Sequence, residues 1–244
     1  MKKSIIDILK EKQQPLDQRF NALLIIANRF DISYLPVMEA ILVDESEHPD
    51  IRSAVALTLG KVAEQEMPIL VFQESAEPEE ESLRDIIFNL LSGYTDTEDV
   101  TLKNYVIQAL GMMGSERVAP YLIDALKDEN NVVFASAAES LGFIGRPVVP
   151  YLIEVLDEGA DDARCVAAWQ LGKLGYTDAI EPLLRTIRQV DNPEVVALSV
   201  WALGEIGYDG AEVLETLKWA KAHQEEDVST RADRAIKKIA RHIN

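Results

Sequence analysis

Ala163-Arg164-Cys165-Val166-Ala167-Ala168-Trp169-Gln170-Leu171-Gly172 is the stretch that decides the fold. Ala163, Ala167, Leu171 and then Leu174 fall at i, i+4, i+8 and i+11, the apolar stripe of an amphipathic helix. The same columns recur as Ile51, Val55, Leu59, Val62; as Leu102, Val106, Leu110, Met113; as Val133, Ala137, Leu141, Ile144; and as Val195, Ser199, Leu203, Ile206. Each set carries a Leu-Gly pair, at Gly60, Gly111, Gly142, Gly172 and Gly204. The last four glycines are 31, 30 and 32 residues apart, and the first step of 51 is one period plus an insertion. A fixed period of this size predicts an all-α solenoid, in which each unit buries its apolar face on the next.

The striped helix is expected to be the second of a helical hairpin. A first helix begins eight to ten residues after a Leu-Gly, usually at proline: Pro68, Pro120, Pro150 and Pro182, with Pro36 opening an earlier one. Glycine within a helix costs about 1 kcal/mol against alanine, so its repetition predicts close approach of a neighbouring helix. A second set, Gly114, Gly145, Gly175 and Gly207, suits left-handed residues that end the second helices. Ala63 stands in that place in one unit, where the turn should differ. Asp and Asn in the intervening turns are suited to cap the next helix.

Units are expected at roughly 1–31, 32–63, 64–114, 115–145, 146–177 and 178–208, within one domain over 1–244 closed by a capping hairpin at 209–244. Residues 16–30 supply the first unit's second helix in weak register, without Leu-Gly. The insertion falls in the third unit, as a short helix over 67–73, a loop over 75–82 and a helix over 83–91.

These units resemble HEAT repeats, in particular the short HEAT-like type named after phycobilisome lyases, with the form V-R-x-x-A-A-x-A-L-G-x-I-G and a proline-initiated helix. Ile51 to Gly60 and Ala163 to Gly172 fit well and keep the arginine of the pattern as Arg52 and Arg164. That column otherwise holds Lys103, Phe134 and Val196. The resemblance implies a right-handed α-α superhelix of helical hairpins. It implies several possible roles, from bilin lyase subunits and pigment-detachment factors to protein-binding scaffolds, since one fold hosts many functions.

Composition narrows the choice. The chain carries a formal charge of −18, which argues against nucleic acid and against anionic membrane surfaces as partners. No apolar run is long enough to span a bilayer, and Met1-Lys2-Lys3-Ser4 opens neither a signal peptide nor a myristoylation motif. A single cysteine, Cys165, suits a reducing cytoplasm. Charge is uneven: residues 64–99 hold eleven acids and one base, read as a solvated loop, and residues 228–244 hold five bases and one acid. Weak self-association between the two stretches in different copies is one consequence.

Catalytic chemistry is not expected. His48, His223 and His242 lie in different units, and none has a partner at metal-ligand spacing. HEAT-like hydroxylases bind iron through repeated His-Glu pairs, and the chain has no His-Glu. No metal, cofactor or catalytic residue is therefore assigned. Cys165 as a nucleophile would need Arg164 and Lys173 to lower its pKa, and it has no histidine base beside it.

The second helices of a HEAT-like solenoid line its concave wall. At about 100° per residue, the column opposite the buried stripe consists of the triplets Ser53-Leu57-Lys61, Asn104-Gln108-Met112, Ala135-Glu139-Phe143, Cys165-Trp169-Lys173 and Ala197-Trp201-Glu205. Tyr105 flanks it, and Thr230, Arg234 and Lys238 extend it into the cap. Tryptophan, phenylalanine and methionine turned from a core are typical anchors for partners. The expected groove is thus Tyr105, Gln108, Met112, Glu139, Phe143, Cys165, Trp169, Lys173, Trp201 and Glu205. The chain is expected to be a protein-interaction scaffold or adaptor that holds another protein there. The alternative is a bilin lyase or isomerase-type subunit, its aromatic strip stacking on the tetrapyrrole chromophore of a phycobiliprotein.

Overall fold

A computed structural model describes residues 4–65 and 82–243, in two compact units, Met1–Phe143 and Ile144–Asn244. The first unit contains α1 (Ile5–Lys10), α2 (Leu16–Asn28), α3 (Leu35–Val43), α4 (Pro49–Gln65), α5 (Leu83–Ser92), α6 (Val100–Met112), α7 (Ala119–Ala125) and all but the last residue of α8 (Asn131–Ile144). The second contains α9 (Val149–Glu158), α10 (Asp161–Leu174), α11 (Ile180–Gln189), α12 (Pro193–Ile206), α13 (Ala211–Lys221) and α14 (Glu226–Ile243). No strand occurs among the described residues. The expected short helix at 67–73 and most of the loop at 75–82 lie outside the described residues.

Each unit is a stack of helical hairpins in two layers. Second helices pack side by side, α2 on α4 and α4 on α6 in one unit, α10 on α12 and α12 on α14 in the other. Their stripes are the core: Ile51, Val55, Leu59, Leu102, Val106, Leu110, Val195 and Leu203 are all buried. The polar departure, Ser199, is fully buried and satisfied, its hydroxyl donating to the Val195 carbonyl one turn back at 2.8 Å.

The recurrent glycine has the packing reason expected of it. A Cβ on Gly60 would stand 2.7 Å from Ala109 Cα, one on Gly172 2.8 Å from Ala202 Cα, and one on Gly204 2.8 Å from Ala235 Cα. Each neighbour lies on the next second helix, so backbone meets backbone and no side chain fits between. At the helix ends, Gly175 and Gly207 are left-handed, with φ of +72° and +74°. Where Ala63 stands instead, α4 does not stop but runs on to Gln65.

The first helices start as read, with Pro36, Pro120 and Pro150 in the first turns of α3, α7 and α9. The sequence pattern did not reveal the short 3-10 turns that feed them, at Ile32–Tyr34, Glu116–Val118, Arg146–Val148 and Thr177–Ala179. The last displaces Pro182 to the third position of α11.

Two expectations change. Residues 16–30 are in register after all. Arg19, fully buried on α2, donates from Nε and Nη2 to the Leu9 carbonyl and forms a bidentate pair with Glu47 at 2.6 and 2.8 Å. Arg52 does the same thing, donating to the Leu42 carbonyl and to Asp99 at 3.0 Å. Each guanidinium ties the end of its own first helix to the turn ahead of the next second helix. Lys103 makes the corresponding reach to Asp128, at 2.5 Å. The second concerns the acidic stretch: residues 66–81 lie outside the described residues, Asp96 and Glu98 are exposed, and two of its other acids are tied into the structure. Asp99 caps α6 through the Leu102 amide while it pairs with Arg52, and Asp85 pairs with Arg117.

Candidate functional site

The expected groove residues all lie on second helices, and their exposure differs along each unit. In the first unit Tyr105, Gln108 and Met112 are half-buried. Gln108 donates to Asn104 Oδ1 and Ser136 Oγ at 3.3 and 3.2 Å, and Ser136 donates to Asn104 at 2.6 Å. The three form a closed polar latch between α6 and α8 rather than an open surface. Glu139 is exposed, as is Phe143 at 62 %. Projecting one helix at a time missed the cover supplied by its neighbour, which a backbone contact at glycine brings within reach. That is also why Ser53, Asn104 and Ala197, the leading members of their triplets, are buried.

One residue of this face escaped the sequence reading. Arg19 and Arg52 are 33 residues apart, which sets Leu24 in the column of Leu57. Leu24 is 58 % exposed and Ile25 beside it is 46 % exposed. The signal was the arginine spacing, hidden because the first repeat, residues 1–31, lacks Leu-Gly.

In the second unit the two tryptophans of the expected groove differ. Trp169 on α10 is 42 % exposed, with Lys173 Nζ 5.8 Å from its ring centroid. Trp201 on α12 is half-buried because its ring lies across Gly172, where a Cβ would approach it to 2.7 Å. Helices α12 and α14 line a shallow cavity of about 280 Å³ whose walls include Trp201, Glu205, Asp227, Arg231, Arg234 and Lys238. Within it Glu205 pairs with Lys238 at 2.5 Å, and Arg231 pairs with Asp227 at 2.9 Å. Arg234 is exposed and makes no ion pair among the described residues.

Cys165 sits one turn before Trp169 on α10. It is half-buried, and burial pushes its thiol up to about 11, with Glu194, Asp162 and Asp161 adding in the same direction. Arg164 turns away, donating to the Asp157 carbonyl at 2.9 Å, so it does not activate the thiol. The thiol is therefore overwhelmingly protonated at neutral pH, and the thiolate is the reactive form. Iodoacetamide should accordingly alkylate Cys165 far more slowly in the native protein than in urea, as followed by intact mass.

Among the described residues no group of three or more His, Cys, Asp or Glu is placed to hold a metal ion, and no helix is long and apolar enough to cross a membrane.

The chain matches the model of the family described as HEAT repeats over residues 87–164 and 149–237. No curated protein sequence matches it. Among solved structures, the archaeal HEAT-like repeats protein from Thermococcus onnurineus NA1 superposes with a TM-score of 0.59 at 12 % identity, covering 100 % of both chains. The complex of CpcE and CpcF of phycocyanin lyase from Nostoc sp. PCC7120 gives a TM-score of 0.46 at 18 % identity, covering 97 % of this chain and 92 % of that one. Human deoxyhypusine hydroxylase gives 0.43 at 18 %, covering 97 % and 95 %.

Proposed function

The chain belongs to the HEAT-repeat family, and from that premise we propose that it is an interaction module whose second-helix face holds a segment of a partner protein. The observation that carries this is Trp169. A large indole, 42 % exposed, stands on the face turned away from the core, with an ammonium beside it and the Trp201 cavity on the next helix. Exposed aromatic side chains on a rigid helical layer are anchors of low entropic cost. HEAT-repeat layers can offer such a face without any catalytic group.

Affinity capture from native lysate, with the captured protein identified by mass and then purified, tests the proposal. Trp169→Ala should leave far-UV circular dichroism unchanged, because the side chain is not part of the core, and weaken partner binding roughly tenfold or more. Adding Trp201→Ala should abolish binding. A double variant that still binds the purified partner as wild type does would remove this face from consideration.

The same exposed indole beside an ammonium also suits a flat tetrapyrrole that carries carboxylates, which is the second reading. Incubation of the purified chain with a bilin separates the two. A shift in visible absorption that Trp169→Ala removes favours the chromophore, and no shift favours the protein segment.

A further inference from the structure

Ile25 occupies a position that later repeats bury. The step from Arg19 to Arg52 sets Ile25 in the column of Thr58, and the Leu-Gly register carries that column on to Ala109 and Ala202. Those three are buried, Ala109 against Gly60 and Ala202 against Gly172 of the preceding second helix. No second helix precedes α2 among the described residues, and Ile25 is 46 % exposed, with Leu24 at 58 %. Asp17, Asn21, Leu24, Ile25, Asn28 and Arg29 are all exposed along this side of the helix. The two charges among them sit at opposite ends, Asp17 in the first turn and Arg29 at the C-cap. Neither makes an ion pair among the described residues. On α14 the side opposite Ala235 is of another kind: Asp233 pairs there with Lys237 at 2.5 Å and with Lys221 at 2.6 Å.

We propose that this side of α2 binds a second copy of the chain, as an antiparallel, twofold pair of α2 helices. The surface is self-complementary. An antiparallel copy sets Asp17 of each chain beside Arg29 of the other and brings the two Leu24-Ile25 steps together near the centre. A parallel copy would set like charges, and like ends of the helix dipoles, side by side. The residue type argues against one more repeat as the occupant. Later repeats meet backbone to backbone through glycine, and an isoleucine side chain in this column prevents that approach. It suits ordinary side-chain packing instead, with helix axes about 8–10 Å apart. Charge favours a second copy as well. Residues 4–31 hold four bases and four acids on a chain of −18, so two copies meet here without the repulsion of their acidic faces. The ion-paired side of α14 offers Ile25 no apolar partner, so the contact closes as a twofold and does not propagate head to tail. The contact lies in the first unit and does not depend on the role of Trp169.

Sedimentation equilibrium of the full chain is the test. One helix per copy makes a smaller contact than the roughly 1,200 Å² of a stable interface, so association is expected to be weak. The mean mass should rise from 27.2 kDa towards twice that value as the chain is concentrated from roughly 10 to 500 µM. Ile25→Asp places an unpaired charge at the centre of the contact and should raise the dissociation constant roughly tenfold or more, with far-UV circular dichroism unchanged. Asp17→Arg and Arg29→Asp should each weaken association about two- to fivefold, since each sets two like-charged pairs across the twofold. An equimolar mixture of those two variants should recover wild-type association, because every charge pair in the mixed dimer is again opposite in sign. A mean mass that stays at 27.2 kDa throughout would overturn the inference. So would association that Ile25→Asp leaves intact, which would place the contact on another face, or a mixture no better than its components, which would rule out the antiparallel register. A monomeric chain that captures a different protein through Ile25 would overturn it too, by giving the face another occupant.

Discussion

Arg19→Met is expected to destabilise the first unit by about 3–5 kcal/mol near neutral pH, because it strips a buried carboxylate of its partner. The Arg19 and Glu47 side chains are only 1 % and 3 % exposed, and the guanidinium also satisfies the Leu9 carbonyl. Removing the cation leaves Glu47 buried and charged, or forces it to take up a proton. Hydrogen exchange of peptides from α1, α2 and the start of α4 would report the loss locally. The dependence on pH has a definite sign. In the wild type the hydrogen bonds from Arg19 hold the Glu47 carboxyl below its usual value of 4.5. That pair's contribution is therefore fully present above about pH 4.5 and is lost as pH falls through the lower folded value. In the variant, protonation of Glu47 relieves the penalty, so wild type and variant should converge at low pH. Arg19→Met with Glu47→Leu should recover much of the stability, since an apolar pair needs no compensation. A variant as protected as wild type at every pH would show that the Arg19–Glu47 pair contributes nothing.

The second large effect is at the repeated glycine. Gly60→Val should cost about 1–3 kcal/mol, although the helix itself prefers almost any residue to glycine. The Cβ would stand 2.7 Å from Ala109 Cα and 2.8 Å from the Ala109 carbonyl oxygen, and backbone cannot rotate out of the way. Helix α6 would have to move off α4, disturbing the Arg52 pair with Asp99 that joins the same two elements. Gly93 is the control. Its φ is −67°, and a Cβ there meets nothing closer than the Leu90 carbonyl oxygen at 3.5 Å. Gly93→Ala should be neutral or stabilising by up to about 1 kcal/mol. Urea unfolding followed by far-UV circular dichroism distinguishes the two substitutions. A Gly60→Val chain as stable as wild type would mean that the contact can relax.

Much of this was legible in one dimension because helix packing is periodic. The stripe at Ile51, Val55 and Leu59 and its copies specified which faces are buried, and the Leu-Gly pair marked where second helices touch. The first repeat, residues 1–31, was harder to read. It has no Leu-Gly, and its register shows only through Arg19, whose equivalence to Arg52 depends on what the two guanidinium groups touch. Composition of the acidic 64–99 stretch could not show that Asp99 differs from its exposed neighbours Asp96 and Glu98; it is held because Arg52, 47 residues earlier, reaches it across the hairpin.

The candidate face divides the two kinds of information most clearly. Counting from the glycines is enough to put Gln108, Cys165, Trp169 and Trp201 on one column, since angle along a helix follows from chain position alone. Which of them meets solvent depends on the neighbouring helix, whose approach is set by a missing Cβ and whose side chains lie about 30 residues away in sequence. So Gln108 is tied into a latch, Cys165 is half-buried with a raised thiol, and Trp201 lies on Gly172. Trp169 is left standing free, and Arg234 is left unpaired on a chain that is otherwise strongly acidic. Local periodicity decides which side of a helix a residue is on, and long-range packing decides whether that side is open.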